Sequence, residues 1–239
     1  MMIEQAFSFG GTDLTDYVSV WNVDRAVGAS LDIDETEVPG MDGCLVSSSR
    51  IEAFTVKVQC LMHADAPEDV EADRRILAAV LAPGKSGRLV LPESCGLSLD
   101  AVCKGGAELS RLRQHPGVDL EFLVTDPVAY GARRTASMAG TGTVGNGGTA
   151  PARPVVTCVP TASPWRITNT ATGEYVQVAG IFNGKKQLKL DMALERATVD
   201  GADVPVTVGS DFFALAGGAA TGIKVSSGSA TLEWEERWY

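Results

Sequence analysis

Gly140-Thr141-Gly142-Thr143-Val144-Gly145-Asn146-Gly147-Gly148-Thr149-Ala150-Pro151-Ala152-Arg153-Pro154 is the stretch on which the reading of this chain turns. It carries no apolar period of 2 or 3.6, so it predicts neither an amphipathic strand nor an amphipathic helix. Glycine makes positive φ inexpensive, and Pro151 and Pro154 fix φ and remove backbone donors. Such a run between two apolar-rich regions reads as an inter-domain crossing. Structureless loops beyond about 15 residues are uncommon inside compact domains, which favours a boundary over an internal loop. The expected division is a domain over residues 1–140, a linker over 141–153 with Asn146, Gly147 and Gly148 as its hinge, and a second domain over 154–239.

Upstream of this stretch the pattern is β-rich with a single helix. Phe7 to Leu14 reads as a short strand and turn, and Val18 to Val23 has the β-branched and aromatic density of a strand. A polar segment runs to Glu37. Val38-Pro39-Gly40-Met41-Asp42-Gly43 then carries two turn signals, Pro-Gly and Asp-Gly. Phe54 to Cys60 alternates strictly, with Phe54, Val56, Val58 and Cys60 on one face and Thr55, Lys57 and Gln59 on the other. The helix is expected over about 65–82, with Asp65 as cap, Glu68 completing a capping box and Pro67 in the first turn. Val70, Leu77 and Leu81 line its apolar stripe, Arg74 and Arg75 face out, and Pro83-Gly84 ends it. Short strands follow at Leu89–Leu91, Leu97–Cys103 and Leu109–Leu112. Val118 to Val124 alternates again, and Asp126-Pro127 is expected to stop it.

Downstream the pattern is purely β. Strands are expected at Pro154–Val159, Trp165–Asn169, around Val176, around Leu188, at Ile223–Val225 and from Thr231 to the end, with Asp200-Gly201 as a hairpin turn. Many short strands with no helix between them indicate an antiparallel sandwich.

The totals narrow the function. The 239 residues are 45% hydrophobic with a net charge of −10, enough for a sizeable core and poorly suited to phosphate backbones or anionic lipids. Nucleic acid and membrane are therefore not expected partners. No apolar run approaches the roughly 20 residues of a membrane helix, and the start lacks a signal-peptide pattern, so synthesis and folding in a cytoplasm are expected. Cys44, Cys60, Cys95, Cys103 and Cys158 form no Cys-x-x-Cys and read as free thiols. His63-Ala64-Asp65 is a weak metal pair, and His115 sits in a turn. Asp32-Ile33-Asp34-Glu35 lacks the spacing of a calcium loop and reads as a solvated acidic loop. No Gly-x-Ser-x-Gly elbow and no phosphate-binding Gly-x-Gly-x-x-Gly is present. Glu233, Glu235 and Glu236 are the only carboxylates clustered near aromatics, with Glu233 and Glu235 expected on a solvent face. Trp165, Trp234 and Trp238 are candidates for a sugar-contacting platform, with core packing as the competing assignment. Neither an enzyme nor a cofactor nor a metal is expected.

The order of the pieces carries a resemblance. Asp24-Arg25 leads to Pro39-Gly40-Met41-Asp42-Gly43, then to the Phe54 strand and the helix with Arg74-Arg75-Ile76-Leu77. Asp126-Pro127-Val128-Ala129-Tyr130-Gly131 follows, then Asn146-Gly147-Gly148-Thr149, Ala152-Arg153-Pro154 and Gly209-Ser210-Asp211-Phe212-Phe213. This succession resembles the distal tail protein (Dit) family of long-tailed siphophages and their prophages, over essentially the whole chain.

The resemblance implies a mainly β protein. Its N-terminal domain would be β-sandwich or split-barrel-like with one α-helix, and its C-terminal domain a galectin-like, carbohydrate-module-like β-sandwich. It implies a virion structural protein of the phage tail tip: a hexameric ring at the distal end of the tail tube, connecting the tube to the baseplate or tail fibre. The implied partners are further copies of itself, the tail tube protein, the tape measure protein and the tail-associated lysin or tail fibre proteins. The alternative is a glycan-binding module that contacts the host cell wall during adsorption.

Overall fold

The computed structural model describes residues 6–26, 30–63, 66–105, 109–110, 117–180 and 182–239. The protein is mainly β with a single helix among these residues, as the sequence predicts. It divides into two compact units, residues 1–129 with Tyr239, and residues 130–238.

The N-terminal unit contains β1 (Ser8–Phe9), β2 (Thr12–Asp13), β3 (Val18–Asp24), β4 (Leu31–Glu37), β5 (Cys44–Ile51), β6 (Phe54–Met62), α1 (Pro67–Val80), β7 (Ser86–Val90), β8 (Ser98–Cys103), β9 (Leu109–Ser110) and the first part of β10 (Gly117–Gly145). Its sheet runs β3-β6-β10-β8-β7-β1-β2, while β4 and β5 pair only with each other. The two alternating stretches seen in the sequence are neighbours. β6 and β10 pair antiparallel, with Val56 opposite Phe122, Val58 opposite Leu120 and Cys60 opposite Val118. All six are buried, because a period of 2 sends every second side chain to the same face. On the other face Lys57 stands opposite Glu121 and the two form an ion pair at 3.5 Å. The Phe9 and Phe122 rings, with centroids 5.1 Å apart, tie β1 to this core.

Helix α1 begins at Pro67, where the missing N–H costs nothing, and carries Glu68 and Asp69 in its first turn. Ala66 holds the cap position without a side-chain hydrogen bond; the expected cap, Asp65, lies outside the described residues. Leu77 and Leu81 are buried in the sheet core, with Val70 and Val80 partly buried against it. Burying side chains of this size contributes roughly 1.5–3 kcal/mol each.

The expected stop at Asp126-Pro127 is corrected, since β10 continues to Gly145. The pairing of β10 with β6 ends at Val124, so the missing N–H of Pro127 falls outside that ladder.

The C-terminal unit contains the remainder of β10, then β11 (Val155–Cys158), β12 (Trp165–Asn169), β13 (Tyr175–Val178), β14 (Leu188–Asp191), β15 (Arg196–Val199), β16 (Ala202–Asp203) and β17 (Ala220–Trp238). β17 serves two layers. Ile223 and Val225 pair with β12, which pairs with β13; Ala230 to Glu233 pair with β11, which leads on to β14, β15 and β16. Gly228, at φ +72°, lies between these two halves. Trp165, Ile167, Val176 and Val178 from one layer meet Val156, Leu188, Leu190 and Leu232 from the other in one buried core. This is the expected two-layer sandwich.

The expected boundary is also corrected. The units divide after Ala129, and residues 141–153 belong to the C-terminal unit. A glycine-rich strand end has the composition of a linker: Gly140, Gly142 and Gly145 are strand residues, and Val144 is buried in the sandwich core.

Replacing the fully buried Phe122 by Ala is expected to destabilise the N-terminal unit by about 3–5 kcal/mol. Urea unfolding followed by intrinsic fluorescence and circular dichroism should show its transition moved to lower urea.

Candidate functional site

The hairpin of β4 and β5 is the most exposed element of the N-terminal unit. Antiparallel pairing runs from Leu31 opposite Ile51 to Glu37 opposite Cys44, with a bulge past Asp34. The tip is the double turn signal at residues 38–43, with Gly40 at φ +86° and Gly43 at φ +88°. Every residue of the two strands is exposed except Asp32 and Ile51, which are half-buried. The register puts Leu31, Ile33, Val46 and Ile51 on one face. Leu31 is 52% and Val46 60% exposed, so no described residue covers this apolar stripe, and Glu35 and Glu37 share its face. β4 also carries Asp32, Asp34, Glu35 and Glu37. The Arg50 guanidinium pairs with Asp32 at 2.8 Å, and the Cys44 thiol donates to Glu35 at 3.4 Å.

A groove of about 300 Å³ lies between α1 and the sheet of the same unit, with Met62, Leu77, Leu81, Val118 and Leu120 along its floor. Arg74 and Glu121 stand at its mouth. Glu71 accepts from Arg74 at 2.8 Å and from Arg75 at 3.3 Å. The Arg74 hydrogen bond holds the Glu71 carboxyl down at about 2, so it stays ionised at any physiological pH.

The residues singled out from the sequence are placed differently from expectation. Asn146, Gly147 and Gly148, the expected hinge, are packed into the C-terminal unit. The Asn146 side chain is buried and donates to the carbonyls of Ala150 at 3.1 Å and Leu215 at 3.4 Å. A β-carbon on Gly147 would meet the Glu236 carboxylate at 2.6 Å, and one on Gly148 the Arg237 carbonyl at 2.2 Å. Gly148 lets backbone approach backbone, and Gly147 lets the Glu236 carboxylate close onto the chain.

Trp165 and Trp234 are buried in the sandwich, and the Trp165 indole donates to the Ser227 carbonyl at 2.9 Å. Buried rings offer no face to a sugar, so the expected platform is corrected for both; Trp238 is half-buried. Glu236 is buried as well, held by Arg134 at 3.1 Å, a partner 102 positions away that no local pattern announces. Glu233 is exposed.

The acidic segment from Asp32 is a strand and not a loop, and no metal-holding cluster occurs among the described residues. His63 lies 2.6 Å from the Ser19 hydroxyl and 3.2 Å from the Asp16 carbonyl, so both ring nitrogens are engaged. Asp65 and His115 lie outside the described residues.

Comparison with known proteins accounts for this architecture. Residues 12–124 match the phage tail protein RIFT-related domain, and residues 147–238 match the siphovirus-type tail component, C-terminal domain. The chain belongs to the siphophage distal tail protein family. Its fold is similar to that of the SPP1 Dit (gp 19.1) protein, described as a paradigm of the hub adsorption apparatus in phages infecting Gram-positive bacteria. That likeness has a TM-score of 0.86 at 21% identity and covers 98% of this chain and 99% of the other. It is also similar to chains of the phage p2 baseplate in its activated conformation, solved with strontium and with calcium. There the TM-score is 0.53 at 7% identity, covering 94% of this chain and 92% of the other. No curated protein sequence matches it. As a distal tail protein it is a structural component of the phage tail tip.

Two predictions follow from the packing of this distal tail protein. Gly148→Ala, which puts a β-carbon 2.2 Å from a backbone oxygen, should destabilise the C-terminal unit by about 3 kcal/mol. Gly145→Ala, which meets nothing within 4 Å, should change stability by less than about 0.5 kcal/mol in the same melts. A flexible hinge would tolerate both equally.

The thiols give the second. Cys44 and Cys95 are exposed, whereas Cys60, Cys103 and Cys158 are buried. Burial pushes the Cys60 and Cys158 thiols up to about 12 from 9.0. Both stay protonated in the folded chain, so their contribution to stability is fully present below pH 9 and is lost as pH rises towards 12. An aromatic disulfide reagent at pH 8 should titrate two thiols quickly and the other three only in denaturant.

Proposed function

We propose that this distal tail protein assembles through its N-terminal unit into a hexameric ring at the distal end of the tail tube, joining the tube to the baseplate or tail fibre. The observation that carries this reading is the hairpin of β4 and β5. A two-stranded ribbon is marginal in water by itself. This one also exposes Leu31, Ile33 and Val46 along one face. An apolar stripe of that kind is covered when another chain meets it. A hairpin that reaches a different surface of the next copy makes a head-to-tail contact, and such contacts close into rings when the rotation permits.

The likeness in fold to a hub protein supports this reading, as does the family's place in the siphovirus-type tail. The tail tube protein, the tape measure protein and the tail-associated lysin or fibre proteins are the partners the reading assigns to the ring. The glycan-binding alternative draws no support from Trp165 and Trp234, which are buried.

Light scattering across concentration, with negative-stain microscopy of the same sample, tests the ring. A mass six times the 25.0 kDa chain and six-fold particles are expected. A monomer at every concentration, with and without tail tube protein, would falsify the proposal.

A further inference from the structure

A glycine that follows Asp or Asn has no β-carbon to keep its nitrogen away from the preceding side chain. Where the side chain and the glycine N–H are both free, the two can react. The chain carries four such pairs: Asp42-Gly43, Asn146-Gly147, Asn183-Gly184 and Asp200-Gly201. We infer that the fold holds three of them closed and leaves Asp42, at the tip of the β4–β5 hairpin, as a site of spontaneous conversion to isoaspartate. This goes beyond the ring reading and does not rest on it.

Each closed pair is held by a named bond. The buried Asn146 amide donates to the carbonyls of Ala150 and Leu215, and its oxygen accepts from the Gly148 N–H at 3.2 Å, so it is not free to turn onto Gly147. Asn183 is exposed, but its attacking group is engaged: the Gly184 N–H donates to the Pro160 carbonyl at 2.8 Å. The Asp200 carboxylate accepts from the Gln187 N–H at 2.9 Å, and the Asp200 N–H donates to the Gln187 carbonyl at 2.9 Å. Asp and Asn side chains are commonly tied to backbone in this way. Asp42-Gly43 differs on each count. Both residues are exposed, and neither makes a hydrogen bond or ion pair among the described residues. Nothing lies within 4 Å of a β-carbon built on Gly43, so the space around the reacting atoms is open.

The conversion needs only water. The Gly43 nitrogen attacks Cγ of the Asp42 carboxylic acid. The N–Cγ bond forms, the proton on nitrogen and the carboxyl hydroxyl leave as water, and a succinimide closes. Water then opens the ring at one of its two carbonyls. Opening at Cγ restores aspartate; opening at the main-chain carbonyl leaves the chain running through Cβ and Cγ, which is isoaspartate. The product has the mass of the parent and one more methylene in its main chain. That methylene falls two residues before Cys44, whose pairing with Glu37 closes the ribbon.

Incubation of the full chain in warm, near-neutral buffer, beside the same chain held unfolded in guanidinium chloride, tests the inference. Peptide mapping by chromatography and mass spectrometry, with enzymatic methyl labelling of isoaspartate, follows all four pairs. Folded and unfolded rates at Asp42 should agree within about twofold, because an exposed loop tip is nearly as open as the unfolded chain. Folding should slow the other three about tenfold or more, since each reacts only after a local opening. Asp42→Glu, whose longer side chain closes the corresponding ring far more slowly, should abolish the signal at this position. Slowing at Asp42 comparable to that at the other pairs would overturn the inference. Reaction of Asn146, Asn183 or Asp200 in the folded chain at its unfolded rate would overturn it too. An isoaspartate signal that persisted at this position in Asp42→Glu would place the reaction elsewhere and sink it as well.

Discussion

The C-terminal unit depends on backbone packed directly against backbone. Gly148 runs beneath the end of β17 and Gly217 lies against Thr149, each so closely that no β-carbon fits on the glycine. One on Gly217 would lie 2.1 Å from the Thr149 carbonyl. That approach is secured by the Ala150 N–H donating to the Arg237 carbonyl at 2.9 Å and the Gly218 N–H to the Gly148 carbonyl at 2.6 Å. Asn146 closes the turn from within, accepting from the Gly148 N–H at 3.2 Å. With the loop so placed, Glu236 is buried, and its charge is tolerable because Arg134 on β10 reaches it. One steric requirement for glycine thereby fixes where β10 ends, where the loop turns and which side chain β17 turns inward beside it.

This explains what the sequence discloses and what it conceals. The strands at Phe54–Cys60 and Val118–Val124 are legible because their burial follows the period of the pleat, and Val56, Val58, Leu120 and Phe122 are all buried. Helix α1 is legible because Leu77 and Leu81 keep helical spacing and Pro83-Gly84 marks its end. The glycine-rich stretch misleads because composition reports only which residues could be flexible. Whether Gly148 bends freely or makes room for Arg237 depends on a strand almost ninety positions later. The pair of Arg134 and Glu236 is hidden for the same reason. The buried tryptophans follow the commoner use of large aromatics in a sandwich core.

The hairpin is legible in part. Pro39-Gly40 and Asp42-Gly43 announce the reversal, and the flanks Leu31-Asp32-Ile33-Asp34 and Leu45-Val46 hold the apolar residues. Two features obscure it. The bulge past Asp34 shifts the register, so apolar residues on the two strands share a face only after pairing is known. Acidic residues between Leu31 and Glu37 also lower the mean hydropathy to that of a loop. Leu31 and Ile33 share their face of β4 with Glu35 and Glu37, so only the half of the strand before the bulge is apolar there.

The same acidic residues bear on how such a ribbon avoids the wrong contact. An exposed edge with aliphatic side chains is a template for indiscriminate pairing, and charged residues along that edge are the usual protection. Here Asp34, Glu35 and Glu37 make self-pairing repulsive at short range, where screening over about 8 Å at physiological salt does little. A two-fold contact of ribbon on ribbon would end assembly at a dimer, while a contact between two different surfaces leaves each copy with one of each still open. Excluding the first favours the second. Charge on the ribbon thus acts chiefly against the two-fold contact, and it does so in part from the face that carries Leu31 and Ile33, where Glu35 stands opposite Val46 and Glu37 opposite Cys44.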